Sequence, residues 1–422
     1  MLVPCTMMSK IAACLGLTGL LLIAAAACAP AGEDADVVDQ AAQNATEKVK
    51  GVTREERQGY LAAAQIWSEG DFAELGSKDL LAGPGGKGSF QATRNADGSA
   101  AFPSITCEFV EPTRVNELGG KSPKFQCGKC TTSSGCTVDK TLKVKFGKDA
   151  DANGEVYAEV MATRLFWALG FKTDDVYPVR VTCKNCPADP WAVYSKFAPG
   201  TGVRAERVYT AALIERKYEG TKIEEASWPE DKDGQGFAFD DVEKARTKAP
   251  NRGAPNAEWS ALKLLAAFIQ HSDNKAANQR VVCAPGAVSK EGKCSAPFLM
   301  IQDTGATFGG GGQILGTTGS DSKARFDEWT SKKLWRDRGA CKTALFSFSY
   351  SDPTVTDEGR QLLVNLLSKI TDQHLRDVFN ASRVVERGEV TKENGQRRPV
   401  TVEDWIKTFN AKRAELSIPC GS

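Results

Sequence analysis

Eight consecutive residues, His271-Ser272-Asp273-Asn274-Lys275-Ala276-Ala277-Asn278, gather side chains able to move protons and hold cations. Asp273 and Asn278 stand five positions apart, and Lys275 follows Asp273 by two. A second group, Asp303-Thr304-Gly305, comes directly after the apolar run Phe298-Leu299-Met300-Ile301-Gln302. A carboxylate can accept a proton from a hydroxyl, and carboxylate and carboxamide oxygens are the donors a hard divalent cation prefers. Histidine is scarce: His271 and His374 are the only two, which disfavours histidine-rich metal sites and Ser–His triads.

Such groups work only if regular elements hold them in place. Ala257 to Gln270 reads as a helix with Trp259, Leu262, Leu265, Phe268 and Ile269 on its buried side, running straight into His271. A strand over 298–302 delivers Asp303. Upstream, short strands are expected at 105–110, 125–127, 141–146 and 176–181. Between the last two lies a helix with apolar spacing at Val156, Val160, Thr163, Leu165, Phe166 and Leu169, closed by Gly170. Residues 218–256 are charged and read as an insertion or loop, and further helices are expected over 357–379 and 402–416. A strand-rich N-terminal half thus meets a helix-rich C-terminal half, an α+β arrangement in two lobes.

In order, the two loops resemble H-x-D-x-K-x-x-N followed by D-x-G, the catalytic and metal loops of the protein-kinase superfamily. The run from Glu159 to Phe171, leading toward Tyr177-Pro178, is similar to the corresponding helix of HipA-like kinases and of the secreted, disulfide-bearing casein kinases of the Golgi. The resemblance implies a two-lobed protein-kinase-like fold: a small antiparallel-sheet lobe with one helix over 105–199, and a mainly helical lobe with an insertion over 200–422. It also implies ATP and Mg2+. Asp273 would accept and orient the acceptor hydroxyl, Lys275 would join it, and His271 would organise the loops. Asn278 and Asp303 would hold the metal, with Gly305 letting the backbone turn beside the nucleotide. A strand lysine paired with a helix glutamate should contact the phosphates; Lys145 with Glu159 is the assignment, with Lys143 and Glu155 in reserve. That pair is expected to be partly exposed and to contribute little stability. Gly119, Gly120, Lys121 and Ser122 occupy the place of the phosphate-cradling loop. Asn278 and Asp303 are farther apart in sequence than the resemblance requires, and the excess lies between Cys283 and Cys294, which are expected to form a disulfide across a hairpin tip.

The first 28 residues read as an address. Lys10 precedes an apolar run from Ile11 to Ala27, and small residues end it directly before Cys28. This resembles the lipobox of bacterial lipoproteins, with Cys28 lipidated; the alternative is an ordinary secretory signal. Residues 29–104 would then form a tether and N-terminal extension. The chain is expected to be exported to the bacterial cell envelope, at the outer membrane or periplasmic face, and anchored to a membrane through Cys28. Ten of the 13 cysteines follow Cys28, which in an oxidising compartment reads as up to five disulfides. The rival is a zinc site built from Cys127-x-x-Cys130 and Cys183-x-x-Cys186. With 54 Lys+Arg against 53 Asp+Glu, no global field attracts nucleic acid. The expected function is an exported phosphotransferase acting on a protein, glycan or small-molecule hydroxyl. The alternatives are a non-catalytic binding or scaffold lipoprotein of kinase-like fold, and a zinc-stabilised interaction protein.

Overall fold

Five strands with alternating apolar residues close on themselves: β1 (Ser104–Phe109), β2 (Lys124–Thr132), β3 (Leu142–Phe146), β4 (Asp175–Cys186) and β5 (Ala205–Arg216). These coordinates, a computed structural model, describe residues 49, 51–85, 90–114, 117–120, 122–133, 135, 137–138, 141–147, 153–196, 203–229, 235–249, 253, 255–309, 323–347 and 350–421. The leader, Cys28, most of the tether, Lys121 and Cys136 lie outside them.

The order around the barrel is β1-β4-β5-β3-β2, and β2 returns to pair with β1. Every pairing is antiparallel except β1–β4, which is parallel from Ser104↔Arg180 to Glu108↔Lys184. The expected antiparallel sheet is therefore a closed, mixed barrel. Alternation explains how it fills: Phe125, Val144, Phe146, Tyr177, Val179, Tyr209, Ala212 and Ile214 belong to one buried cluster. The rings of Phe146 and Tyr209 lie 4.6 Å apart, and those of Phe125 and Phe146 5.4 Å apart. A disulfide between Cys107 and Cys127 staples the closing seam. Strand β5 lies beyond the boundary expected at 199/200 and is a full stave of the barrel, so the strand-bearing half extends to residue 216.

The larger core gathers the rest. Helix α1 (Arg54–Ala63) starts at a capping box in which Thr53 and Glu56 exchange side-chain to backbone hydrogen bonds. Leu61, Ala62 and Ile66 are buried, and Gln65 bridges to Phe298. Helix α2 (Glu155–Ala168) is buried nearly all round, as its apolar composition requires. At its end Gly170 has φ +84°, and a Cβ there would fall 2.6 Å from the Ser68 carbonyl oxygen. The stretch expected to be a loop contains helix α3 (Phe239–Lys248), because Phe237, Phe239 and Val242 bury an apolar face that its charged neighbours obscure. Helix α4 (Asn256–Phe268) leads to His271. The single helix expected over 357–379 is two, α5 (Asp357–Ser368) and α6 (Asp372–Ala381). Thr371 supplies an N-cap inside the apolar periodicity, and His374 accepts the Thr371 N–H through Nδ1 at 3.3 Å. Helix α7 (Val402–Leu416) completes the core, its Trp405 stacked 5.6 Å from Trp329.

Strands β6 (Gln279–Cys283) and β7 (Pro297–Ile301) form a hairpin, with Thr221–Lys222 as a third strand. Cys283 and Cys294 are bonded across its tip. Two further disulfides join Cys183 to Cys186 and Cys341 to Cys420. Three of the four sulfurs of the zinc alternative are thus in disulfides, and Cys130 is a buried free thiol. Among the described residues no helix is long and apolar enough to cross a membrane.

Candidate functional site

The Lys145 ammonium is the point where sheet, helix and loop meet. Strict alternation in β3 sends Leu142, Val144 and Phe146 into the barrel and leaves Lys143 and Lys145 on the outer face. Asn153 fixes the next element: its Nδ2 donates to the Phe146 carbonyl at 2.9 Å, and its Oδ1 accepts from the Glu155 N–H at 3.2 Å, where α2 starts. One turn on, Glu159 accepts a hydrogen bond from Lys145 Nζ at 2.7 Å. Lys145 also donates to Asp303 at 2.9 Å, while Glu155 and Glu215 stand at 3.8 and 3.9 Å. Lys145 and Glu159 are each 1% exposed, so the pair is fully buried, not partly exposed. Helix α2 is packed on every side, and that packing shuts water out of the pair.

Burial works against the Lys145 charge, but Asp303, Glu159, Glu155 and Glu215 more than offset it and hold the ammonium well above its ordinary range. Burial also opposes ionisation of Asp303, yet Lys145 outweighs it and holds this carboxyl well below the usual range. Glu159 goes the other way. Burial, helped by Glu215 and Asp303, pushes it up to about 7 despite Lys145. One ammonium cannot neutralise several carboxylates, and the pattern makes Asp303 the ionised partner and Glu159 the group hardest to ionise.

Sequence reasoning missed three members of this network. Glu215, at the end of β5, pairs with Lys143 and Lys217, and Lys323 pairs with Glu155 at 2.5 Å. The apolar Ala211-Ala212-Leu213-Ile214 that announces β5 was the available signal. Lys124 is the third, placed directly opposite Lys145 by the β2–β3 register.

The two loops are tied together by backbone. Gln279 faces Ile301 in the hairpin, and the Gln302 N–H donates to the Asn278 carbonyl at 2.9 Å, which sets Asn278 beside the residue preceding Asp303. Ser272 N–H donates to the Ala306 carbonyl at 3.1 Å, and Phe308 N–H to the Ile269 carbonyl at 2.6 Å. Asp303 has φ +48°, and Gln270 and Phe308 are also left-handed, so each loop is entered or left through unfavourable backbone that the packing must hold. Asn278 donates its Nδ2 to the Asp273 carbonyl at 2.9 Å, which orients its amide and leaves Oδ1 as the acceptor end. Asn274 is locked by Ser347, whose hydroxyl donates to its Oδ1 at 2.6 Å.

Asp273 accepts from Lys275 at 2.8 Å. His271 is fully buried, neither ring nitrogen has a hydrogen-bond partner among the described residues, and burial pushes it down to about 4. A neutral, enclosed imidazole suits loop organisation. Gly305 packs against α2, where a Cβ would fall 2.8 Å from Glu155 Cγ. Its smallness brings the Asp303 loop onto the helix. Gly119 and Gly120 both have positive φ in the β1–β2 connection, and Ser122 follows them. Among the described residues no group of three or more His, Cys, Asp or Glu side chains could hold a metal ion, so a cation here would rest on Asp303 and the Asn278 oxygen together with phosphates and water. Two cavities, of about 510 and 390 Å3, lie elsewhere. The first is bordered by Arg54, Arg57, Trp228 and Asp241, and reaches the loop at Ala276 and Ala277.

No known family model matches the chain, and no curated protein matches it. Among solved structures, the crystal structure of the Helicobacter pylori proinflammatory kinase CtkA is similar over 74% of this chain and 94% of that one, with 12% identity and a TM-score of 0.36.

Proposed function

We propose that this chain is a phosphotransferase of kinase-like, two-lobed architecture that moves the γ-phosphate of ATP to a hydroxyl of a protein, glycan or small molecule. One observation carries the reading: a single buried ammonium, Lys145, joins a strand, the Glu159 helix and the Asp303 loop. A buried ion pair is a costly way to stabilise a fold, whereas a positioned cation beside an ionised carboxylate is what phosphate chemistry uses. Lys145 would bind phosphate oxygens, with Glu159 holding its side chain straight. Asp303 and the Asn278 oxygen would hold Mg2+, which when bound neutralises charge on the phosphates. Asp273 would take the proton of the incoming hydroxyl, and Lys275, already paired with it, would hold the carboxylate in position. The cavity beside Ala276 and Ala277 offers the acceptor a place to settle.

Export and anchoring through Cys28 belong to the same proposal, supported by the apolar leader and by four disulfides, which persist in oxidising compartments. The test is thermal unfolding of the detergent-solubilised chain with ATP, GTP and MgCl2. Nucleotide with metal should raise the midpoint by mass action, and radiolabelled γ-phosphate should pass to an acceptor hydroxyl. No shift with any nucleotide would sink the reading. A shift without transfer would favour a non-catalytic binding module.

A further inference from the structure

Lys124 is a buried cation on the same face of the barrel as Lys145. It is 6% exposed, and among the described residues no carboxylate comes within ion-pair distance of its Nζ. Its Nζ lies over the Trp191 ring, 5.8 Å from the centroid. The register sets Lys124 opposite Lys145 on adjacent strands, so both side chains leave the same face of the sheet. The other lysines of that face have partners: Lys143 pairs with Glu215, and Lys145 with Glu159 and Asp303. Above Lys124 runs the Gly119–Gly120 turn. Gly120 has φ +67°, and a Cβ on it would fall 2.8 Å from Lys124 Nζ. Bare backbone therefore passes directly over a buried ammonium that no carboxylate pairs among the described residues, an arrangement that is costly without an anion.

From this geometry we infer that Lys124 is a phosphate-binding residue, taking an oxygen of the bound nucleoside triphosphate beneath the Gly119–Gly120 turn while Lys145 takes another from the α2 side. The inference rests on the nucleotide reading above and adds to it the group that recognises the polyphosphate. A glycine turn alone contributes backbone; the charge comes from the strand that follows it. Burial, with Lys145 and Lys143 adding to it, pushes Lys124 down to about 8, and the more distant Asp303 and Glu155 offset only part of that.

The experiment compares the full chain with Lys124→Gln for binding of Mg-ATP and of inorganic tripolyphosphate, by calorimetry or competition. Loss of one hydrogen bond to a charged group should weaken both ligands by the same factor, roughly 10- to 100-fold. The unfolding midpoint without ligand should hold or rise, because an unpaired buried charge has gone. If Lys124→Gln fails to fold, Lys124→Met, of similar shape and without charge, carries the same comparison. Equal affinity in variant and wild type would overturn the role of Lys124 while leaving the nucleotide site intact. A loss for ATP with none for tripolyphosphate would overturn it too, by placing the effect on the nucleoside. Failure of the wild-type chain to bind either ligand would overturn the nucleotide reading itself.

Discussion

Lys145 and Asp303, 158 residues apart in the chain, meet at 2.9 Å beside α2. The contact is closed by three short-range devices: alternation in β3, the Asn153 cap that starts α2, and the left-handed turn at Asp303. Each would be unremarkable alone. Together they bring a buried cation up to an anion whose side chain is still 42% exposed, so the Asp303 carboxylate is held from one side and open on the other.

Lys145→Met is expected to destabilise the protein by about 3–5 kcal/mol, because Glu159 is left buried without its counter-charge. The sequence had suggested a partly exposed pair with little effect on stability. Adding Glu159→Gln to Lys145→Met should recover part of the loss, a coupling that a double-mutant cycle in urea measures. A loss below about 1 kcal/mol, the scale of an exposed pair, would contradict the burial argument.

His271 should give the protein a measurable acid sensitivity. Its folded value lies near 4 against 6.5 for a free imidazole, so the unfolded chain binds more protons between these values. Stability should rise with pH from about 4 to 6.5 and be lost as pH falls through that window, by up to about 3 kcal/mol. Glu159, raised to about 7, contributes in the opposite sense between its ordinary value and 7. Comparing His271→Leu with the wild type cancels that contribution. The variant should lack the rising limb, and parallel pH profiles would show that His271 does not titrate on unfolding.

The chemistry-bearing loops were legible because their residues are consecutive: His271 to Asn278 and Asp303 to Gly305 need no fold to be noticed. Lys145 and Glu159 followed from order and alternation. Glu215 and Lys124 did not, because their membership comes from strand register, and register is set by partners far away in sequence. Barrel closure was hidden for the same reason: nothing local in Ser104–Phe109 distinguishes a strand paired on both edges from one paired on a single edge. The break at Thr371 was local and could have been seen, since a threonine followed by an aspartate is a helix start even inside an apolar rhythm.

The Cys283–Cys294 disulfide closes a loop of 11 residues at the hairpin tip, on the end of the hairpin away from Asn278 and Gln302. Replacing both cysteines with serine should lower stability by about 2–3 kcal/mol through the freedom returned to the unfolded chain. Nucleotide affinity should change less than threefold, because β6 and β7 remain paired from Gln279↔Ile301 onward. Urea unfolding and nucleotide titration on the same preparation separate the two. A large loss of affinity would mean that the tip, rather than the ladder, holds Asp303 in place.

The division of labour between Asp303 and Asp273 is the sharpest consequence of the geometry. Asp303 is drawn into the Lys145 network, whereas Asp273 pairs only with Lys275 at 2.8 Å among the described residues and gives its carbonyl to Asn278. Asp303→Ala should remove metal-dependent nucleotide binding, because no other carboxylate in the two loops can supply a charged ligand there. Asp273→Asn should leave nucleotide binding nearly intact and lower transfer by roughly two to four decades, the scale of losing a general base. The difference follows from timing: Asp273 acts on the acceptor hydroxyl in the transition state, while Asp303 acts on the bound nucleotide from the start. Equilibrium binding of Mg-ATP and single-turnover transfer, measured on both variants, decide the matter. Equal loss of binding in the two would contradict separate roles, and unchanged behaviour in both would leave the loops without a catalytic part.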